Sequence, residues 1–144
     1  MTLAAAAGAS AAAVPSHLQT FLGLDFGTKR TGVAFASRML GSARPLSTVR
    51  TSQSDARLAQ VRVHVQEWQP EALVVGIPFH PDGAEHENTL RARKFARSLR
   101  SRFSMPVFEV DERYSTTEAR SQGARDADAS AACIILEQFL RGLA

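Results

Sequence analysis

Apolar positions along the chain follow two periods, and each change of period marks an element. Phe21, Leu22, Leu24 and Phe26 form an apolar run ended by Gly27-Thr28, and Thr31 to Ser37 follows as a second strand in hairpin relation to it. Ser42 to Arg50 is a weaker third strand, where Pro45 predicts an edge position because it cannot donate to a ladder. From Ser54 the period becomes helical: Leu58, Val61, Val65 and Trp68 share one face, and Pro70 closes the helix. Ala72 to Ile77 is continuously apolar, the mark of a strand in a central parallel position. A loop with Pro81-Asp82-Gly83 leads to a second helix, from about Glu87 to Phe103, and then to the strand Pro106 to Val110. A short helical segment is expected after Ser115, and a last helix from about Asp126 to Arg141. The order β-β-β-α-β-α-β-α predicts a mixed five-stranded α/β sheet with helices on both faces.

Three acids break this pattern. Asp25 sits inside the first apolar strand, where an ionised carboxylate costs several kcal/mol unless it is bound by a metal, a basic partner or a shared proton. Its strand should neighbour Leu73 to Ile77. Glu112 follows the strand ending at Val110, at the carboxyl end where α/β sheets commonly bind ligands, with Asp111 as a competing acid. The ordinary alternative for Glu112 is a salt bridge to Arg113 or Arg30. On the last helix, Asp128, Ala132, Ile135 and Phe139 share one stripe, which points Asp128 at the sheet while Asp126 remains free to cap. A first-turn acid favoured by the helix dipole explains the position of Asp128 along the axis but not its inward direction. Three carboxylates converging at one end of the sheet form a set of hard oxygen ligands suited to Mg²⁺ or Mn²⁺.

Composition narrows the field. At 144 residues, 44% hydrophobic and 22% charged, the chain reads as one domain with a sizeable core. Its lone cysteine, Cys133, excludes an intramolecular disulfide and a Cys-rich zinc site, and lies in an apolar run that suits an inert thiol. No stretch approaches the roughly 18 apolar residues of a membrane span. Met1 to Leu18 is Ala-dominated and lacks the basic start of a secretory signal, so residues 1–19 are expected to be a disordered tail and 20–144 the domain.

The net charge is +3, and of 17 basic residues only Lys29 and Lys94 are lysine. Arginine's planar fork suits phosphate. On the helix Thr89 to Phe103, Arg91, Arg93, Lys94, Arg97, Arg100 and Arg102 surround an apolar arc of Ala92, Phe95, Ala96, Leu99 and Phe103, with no acid among them. That arc suits a nucleic-acid backbone, and an ordinary solvated face is the plainer alternative. Lys29 and Arg30, next to Asp25, are candidates for contacting a scissile phosphate, and His80 for proton transfer.

Four segments resemble the YqgF-type pre-16S rRNA nuclease family, also called Holliday-junction-resolvase-like, which has an RNase H-like fold. They are Leu24-Asp25-Phe26-Gly27-Thr28-Lys29-Arg30-Thr31-Gly32-Val33-Ala34, Val74 to Pro78 with Asp82-Gly83, Asp111-Glu112-Arg113-Tyr114-Ser115-Thr116-Thr117-Glu118-Ala119, and Asp128 to Glu137. The likeness covers about Phe21 to Leu140. It implies Asp25, Glu112 and Asp128 as catalytic, metal-binding acids, and metal-dependent phosphodiester hydrolysis that matures the 5′ end of 16S rRNA in the bacterial cytoplasm. Arg113, Lys29, Arg30 and the basic helix face (Arg91, Arg93, Lys94, Arg97, Arg100) are the substrate-binding candidates. The stretch from Ala119 to Asp128 is shorter than in many members, which bears on substrate contacts near the site.

Three other readings compete. Branched DNA could be the substrate, which would require a symmetric dimer, and a non-catalytic RNA-binding domain could keep the fold. The Asp-x-Gly-Thr turn also occurs in the actin, Hsp70 and sugar-kinase superfamily, but those ATPases close two domains around a nucleotide and would leave Glu112 and Asp128 without a role.

Overall fold

The strand Thr20–Phe26, β1, sorts its side chains between two cores by strict alternation. Leu22, Leu24 and Phe26 go to one face of the sheet, and Phe21 to the other. The computed structural model describes residues 14–80, 82–111 and 127–143. Among these, the further elements are β2 (Arg30–Ser37), β3 (Ala43–Arg50), α1 (Ser54–Trp68), β4 (Ala72–Ile77), α2 (Glu87–Phe103), β5 (Val107–Asp111) and α3 (Ala127–Arg141). The tail up to residue 13 and the short helical segment expected after Ser115 lie outside the described residues.

The strands form one sheet in the order β3-β2-β1-β4-β5. The β1–β2 and β2–β3 pairs are antiparallel, and β1–β4 and β4–β5 are parallel. β4 therefore has a parallel neighbour on each side, and all six of its residues are buried, as a continuous apolar run requires. Pro45 lies on β3 at the edge, opposite Ala34, beside a register shift that absorbs its missing donor.

α1 and α2 cover the face that carries Leu22, Leu24, Val33, Leu73 and Val75, and α3 covers the opposite face, with Phe21, Ala34, Val74 and Phe108. At the carboxyl end of α1, Gln69 adopts a left-handed φ of 49° and donates its N–H to the Val65 carbonyl, and Pro70 follows. The α3 stripe Ala132, Ile135 and Phe139 is buried against the sheet. Two glycines let α3 come this close: a Cβ at Gly23 would lie 2.4 Å from Leu136 Cγ, and one at Gly32 would lie 1.8 Å from the Asp128 carbonyl oxygen.

The packed chain reaches back beyond Thr20. Val14 and Leu18 are buried in the core beneath α3, and the N–H groups of Gln19 and Thr20 donate to Glu71 Oε1 at 2.7 and 3.2 Å. Alanine-rich composition concealed this, because two well-placed aliphatic side chains are enough to anchor the segment.

Candidate active site

Asp25 is the penultimate residue of β1, half-buried, and alternation sends it to the α3 face. It is therefore less desolvated than its apolar neighbours suggest, since the strand ends one residue later. Directly opposite it on β2 stands Gly32, and over Gly32 lies the backbone of Asp128 in the first turn of α3. The strand residue Asp25 and the helix residue Asp128 thus both border a residue with no side chain. The stripe partners of Asp128, namely Ala132, Ile135 and Phe139, are buried, while the Asp128 side chain itself is partly exposed.

Asp128 already has a cation. Arg30 Nε lies 3.4 Å from Asp128 Oδ2, with the two side chains 56% and 27% exposed. Arg30 sits two residues before Gly32 on the same strand face, so the contact follows from β2 pleating. The sequence assigned Arg30 to a phosphate or to Glu112; here it pairs with Asp128. Lys29, in the preceding turn, is exposed.

Glu112 and Arg113 lie outside the described residues. β5 ends at Asp111, which pairs with Ile77 on β4. Val110 belongs to the core beneath α3, so alternation assigns Asp111 to the other face from Asp25. The Asp111 carbonyl accepts from Gln138 Nε2 at 2.9 Å. Among the described residues no three His, Cys, Asp or Glu side chains are grouped to hold a metal ion. Asp25 and Asp128 are two hard oxygen donors of a type that suits Mg²⁺ or Mn²⁺.

One residue that supports the site was missed in the sequence. Arg57, on α1, is only 4% exposed. Its Nη2 donates to the carbonyls of Gly27, Thr28 and Thr51 at 3.2, 2.7 and 2.9 Å, and its guanidinium stacks over Phe26 at 4.7 Å. Burial alone lowers its pKa from the usual value. It pins the turn that immediately follows Asp25. A basic residue next to the apolar position Leu58 was the available signal, because a charge beside a core stripe needs a local acceptor.

The basic arc of α2 is broken by acids from elsewhere. Arg93 pairs with Glu85 and, at 3.9 Å, with Glu109, while Arg100 pairs with Glu109 at 3.2 Å and donates to the Val107 carbonyl at 2.9 Å. The Glu109 side chain is only 8% exposed, so both arginines balance a buried acid on β5. Arg91 pairs with Glu87, and Arg102 with Asp55. Lys94 and Arg97 are exposed and, among the described residues, have no ion-pair partner. Of the six, these two remain the freest for a polyanion.

His80 is exposed, and its ring packs edge-on to His86, whose Nδ1 accepts the Asn88 N–H to cap α2. Thr89 Oγ1 completes the cap by accepting the His86 N–H, and it donates to the Pro78 carbonyl. Cys133 is half-buried, and burial with the nearby Glu137 charge pushes its thiol up to about 12, which keeps it an unreactive thiol at neutral pH.

The family model described as RuvX, Holliday junction resolvase, matches residues 19–142. The chain belongs to the RuvX family. A "Putative pre-16S rRNA nuclease" of Albidiferax ferrireducens is 63% identical over 139 residues, covering 96% of this chain and 88% of the relative. A protein of the same name from Polaromonas is 62% identical, covering 93% and 99%. Thermus thermophilus RuvC, solved in complex with a Holliday junction substrate, superposes with a TM-score of 0.56 at 16% identity, covering 85% of this chain and 94% of that one. This likeness places the RuvX chain in the RNase H-like fold. RuvX membership makes it a nuclease, a hydrolase of phosphodiester bonds. No helix among the described residues is long and apolar enough to cross a membrane.

Proposed function

We propose that this RuvX chain cleaves a phosphodiester bond of precursor 16S rRNA during maturation of its 5′ end, in the cytoplasm, with Asp25, Glu112 and Asp128 holding Mg²⁺ or Mn²⁺. The observation that supports the reading is that Asp25 and the backbone of Asp128 both border Gly32. Both donors are hard oxygens, and in the sequence Glu112 directly follows Asp111, the last residue of β5. Relatives more than 60% identical over nearly the whole chain carry the pre-16S rRNA nuclease name.

When bound, a divalent ion activates water and offsets charge on the phosphoryl oxygens. The protein's own groups do the rest. Asp25 and Asp128 offer carboxylate oxygens from a strand and a helix that are packed rigidly together. Arg30 balances Asp128 and borders the site, where its fork suits a phosphate oxygen. Lys29 stands beside it in the turn. Arg57 holds that turn through the Gly27 and Thr28 carbonyls, ties it to Thr51 through a third, and so positions Asp25. Lys94 and Arg97 offer sequence-independent backbone contacts.

The family description favours a second substrate, branched DNA. One assay separates the readings: labelled precursor rRNA leader and a four-way DNA junction, each incubated with Mg²⁺, Mn²⁺ or EDTA. Cleavage of the leader that stops with EDTA, and with Asp25→Asn or Glu112→Gln in a folded protein, is expected. Cleavage of the junction alone would assign branched DNA. Tight RNA binding without cleavage under any metal would leave a non-catalytic RNA-binding domain.

A further inference from the structure

On the sheet face opposite Asp25, a cavity of about 260 Å³ opens between the end of β1, the start of α1 and the middle of α2. Its floor is apolar, with Phe26, Leu58 and Phe95. Among the described residues its polar lining is cationic or hydroxylic: Arg57, Arg91 and Lys94 supply charge, and Thr28, Ser52, Ser54 and Ser98 line it with them. No carboxylate is among the described residues that line it. Arg91 is paired with Glu87, but Lys94 is exposed and has no acid among the described residues.

Arg57 adds an observation of a different kind. It is a buried cation whose hydrogen bonds among the described residues go to carbonyl oxygens and not to a carboxylate, and its buried Nε has no hydrogen-bond partner among them. A buried positive charge left uncompensated is costly, and an anion seated nearby would offset it. The start of α1 strengthens the field. Gln53 caps the helix without a side-chain hydrogen bond, and Ser54, the first helical residue, lines the cavity.

We infer that this cavity binds a phosphate group, in a site separate from the carboxylates on the other face of the sheet. Its volume lies below the roughly 300–1,000 Å³ of sites for drug-sized ligands, which suits one phosphate better than a whole nucleotide. The hydroxyls of Thr28, Ser52 and Ser54 and the Lys94 ammonium supply donors to a tetrahedral anion from several directions, while the Ser98 hydroxyl donates to the Lys94 carbonyl. The phosphate can come from a nucleic-acid backbone or from solution, and the chemistry of the site is the same for both.

The test is a titration with inorganic phosphate at constant ionic strength, followed through the backbone amide resonances of the full-length protein. Saturable shifts centred on Thr28, Ser52, Ser54 and Ser98 are expected. Lys94→Ala should weaken the binding roughly tenfold, the scale of one charge-assisted contact. Arg97→Ala removes the same charge from the same helix outside the cavity, and should leave binding within about twofold because of screening. Non-saturating shifts, shifts centred elsewhere, or equal weakening by both variants would overturn the site. Adding a short oligoribonucleotide without terminal phosphates then identifies the source. Displacement of bound phosphate supports a backbone phosphate as occupant, and coexistence supports the free anion. Cleavage does not enter the readout, so this site and the nuclease reading can fail independently.

Discussion

A Cβ on Gly32 would lie 1.8 Å from the carbonyl oxygen of Asp128 and 2.9 Å from the amide nitrogen of Ala129. The obstruction is helix backbone, which cannot swing aside as a flexible side chain can. Gly32→Ala should therefore push the start of α3 away from β2 and lower stability by about 1–3 kcal/mol, the scale of overpacking in a tight interior. Because Gly32 faces Asp25, the same shift separates the two acids. Denaturant midpoints and single-turnover cleavage should fall together. Retained activity with lost stability would show that the acid separation is not critical.

Asp128→Asn keeps the size of the side chain and removes its charge. Arg30 of the pair is more than half exposed and Asp128 partly so, and metal-free stability should therefore change by less than about 1 kcal/mol. Stabilisation by added Mg²⁺, which follows RT ln(1 + [L]/Kd), should shrink and cleavage should disappear. Melting curves with and without Mg²⁺ decide the matter, and an undiminished Mg²⁺ shift would remove Asp128 from the site.

Arg57→Leu should cost at least about 2 kcal/mol, since three carbonyls lose a charged donor. Arg57→Lys keeps the charge but not the fork, and should fall between wild type and Leu. If Arg57 positions Asp25 through the turn, the Lys variant will lose kcat while its substrate affinity holds. Urea midpoints and single-turnover rates measure both effects.

The two halves of the α2 basic set should behave oppositely. Lys94→Ala with Arg97→Ala should leave stability within about 0.5 kcal/mol. It should weaken nucleic-acid binding across sequences and reduce the salt slope by about one unit per lost contact. Arg93→Ala with Arg100→Ala strands the buried Glu109 and should cost about 3–5 kcal/mol. Chemical denaturation and salt-dependent binding isotherms distinguish the pairs, and an unchanged slope in the first pair would mean that its face is merely solvated.

His64 links stability to pH. Its Nε2 is 2.9 Å from Ser47 Oγ, and burial lowers its pKa below the usual imidazole value, opposed by the Glu67 charge. Below the ordinary value of about 6.5, the unfolded chain takes up a proton that the folded chain resists. The contribution of His64 is therefore complete above that pH and is lost as pH falls through the window beneath it. His64→Gln should flatten this slope in urea midpoints measured from pH 7.5 to 5, and an unaltered slope would assign it to other groups.

The limits of α1 and α2, the edge position of β3 and the central place of β4 could be read from the chain, because periods of 3.6 and 2 and the constraints of proline act over a few residues. The inward stripe of α3 was legible for the same reason. Tertiary packing decided which charges meet. A helical wheel shows Arg93 and Arg100 on an open arc, but it cannot show Glu109, which arrives on a strand laid beside that helix, or Asp55, which arrives from α1. It shows Arg57 next to a core residue without revealing that the carbonyls of the Asp25 turn will fold over it. The pairing of Asp128 with Arg30 likewise depends on α3 seating against Gly32, a contact between residues far apart in the chain. Local periodicity encodes which face of an element is buried; the partner across that face is chosen only when the elements pack.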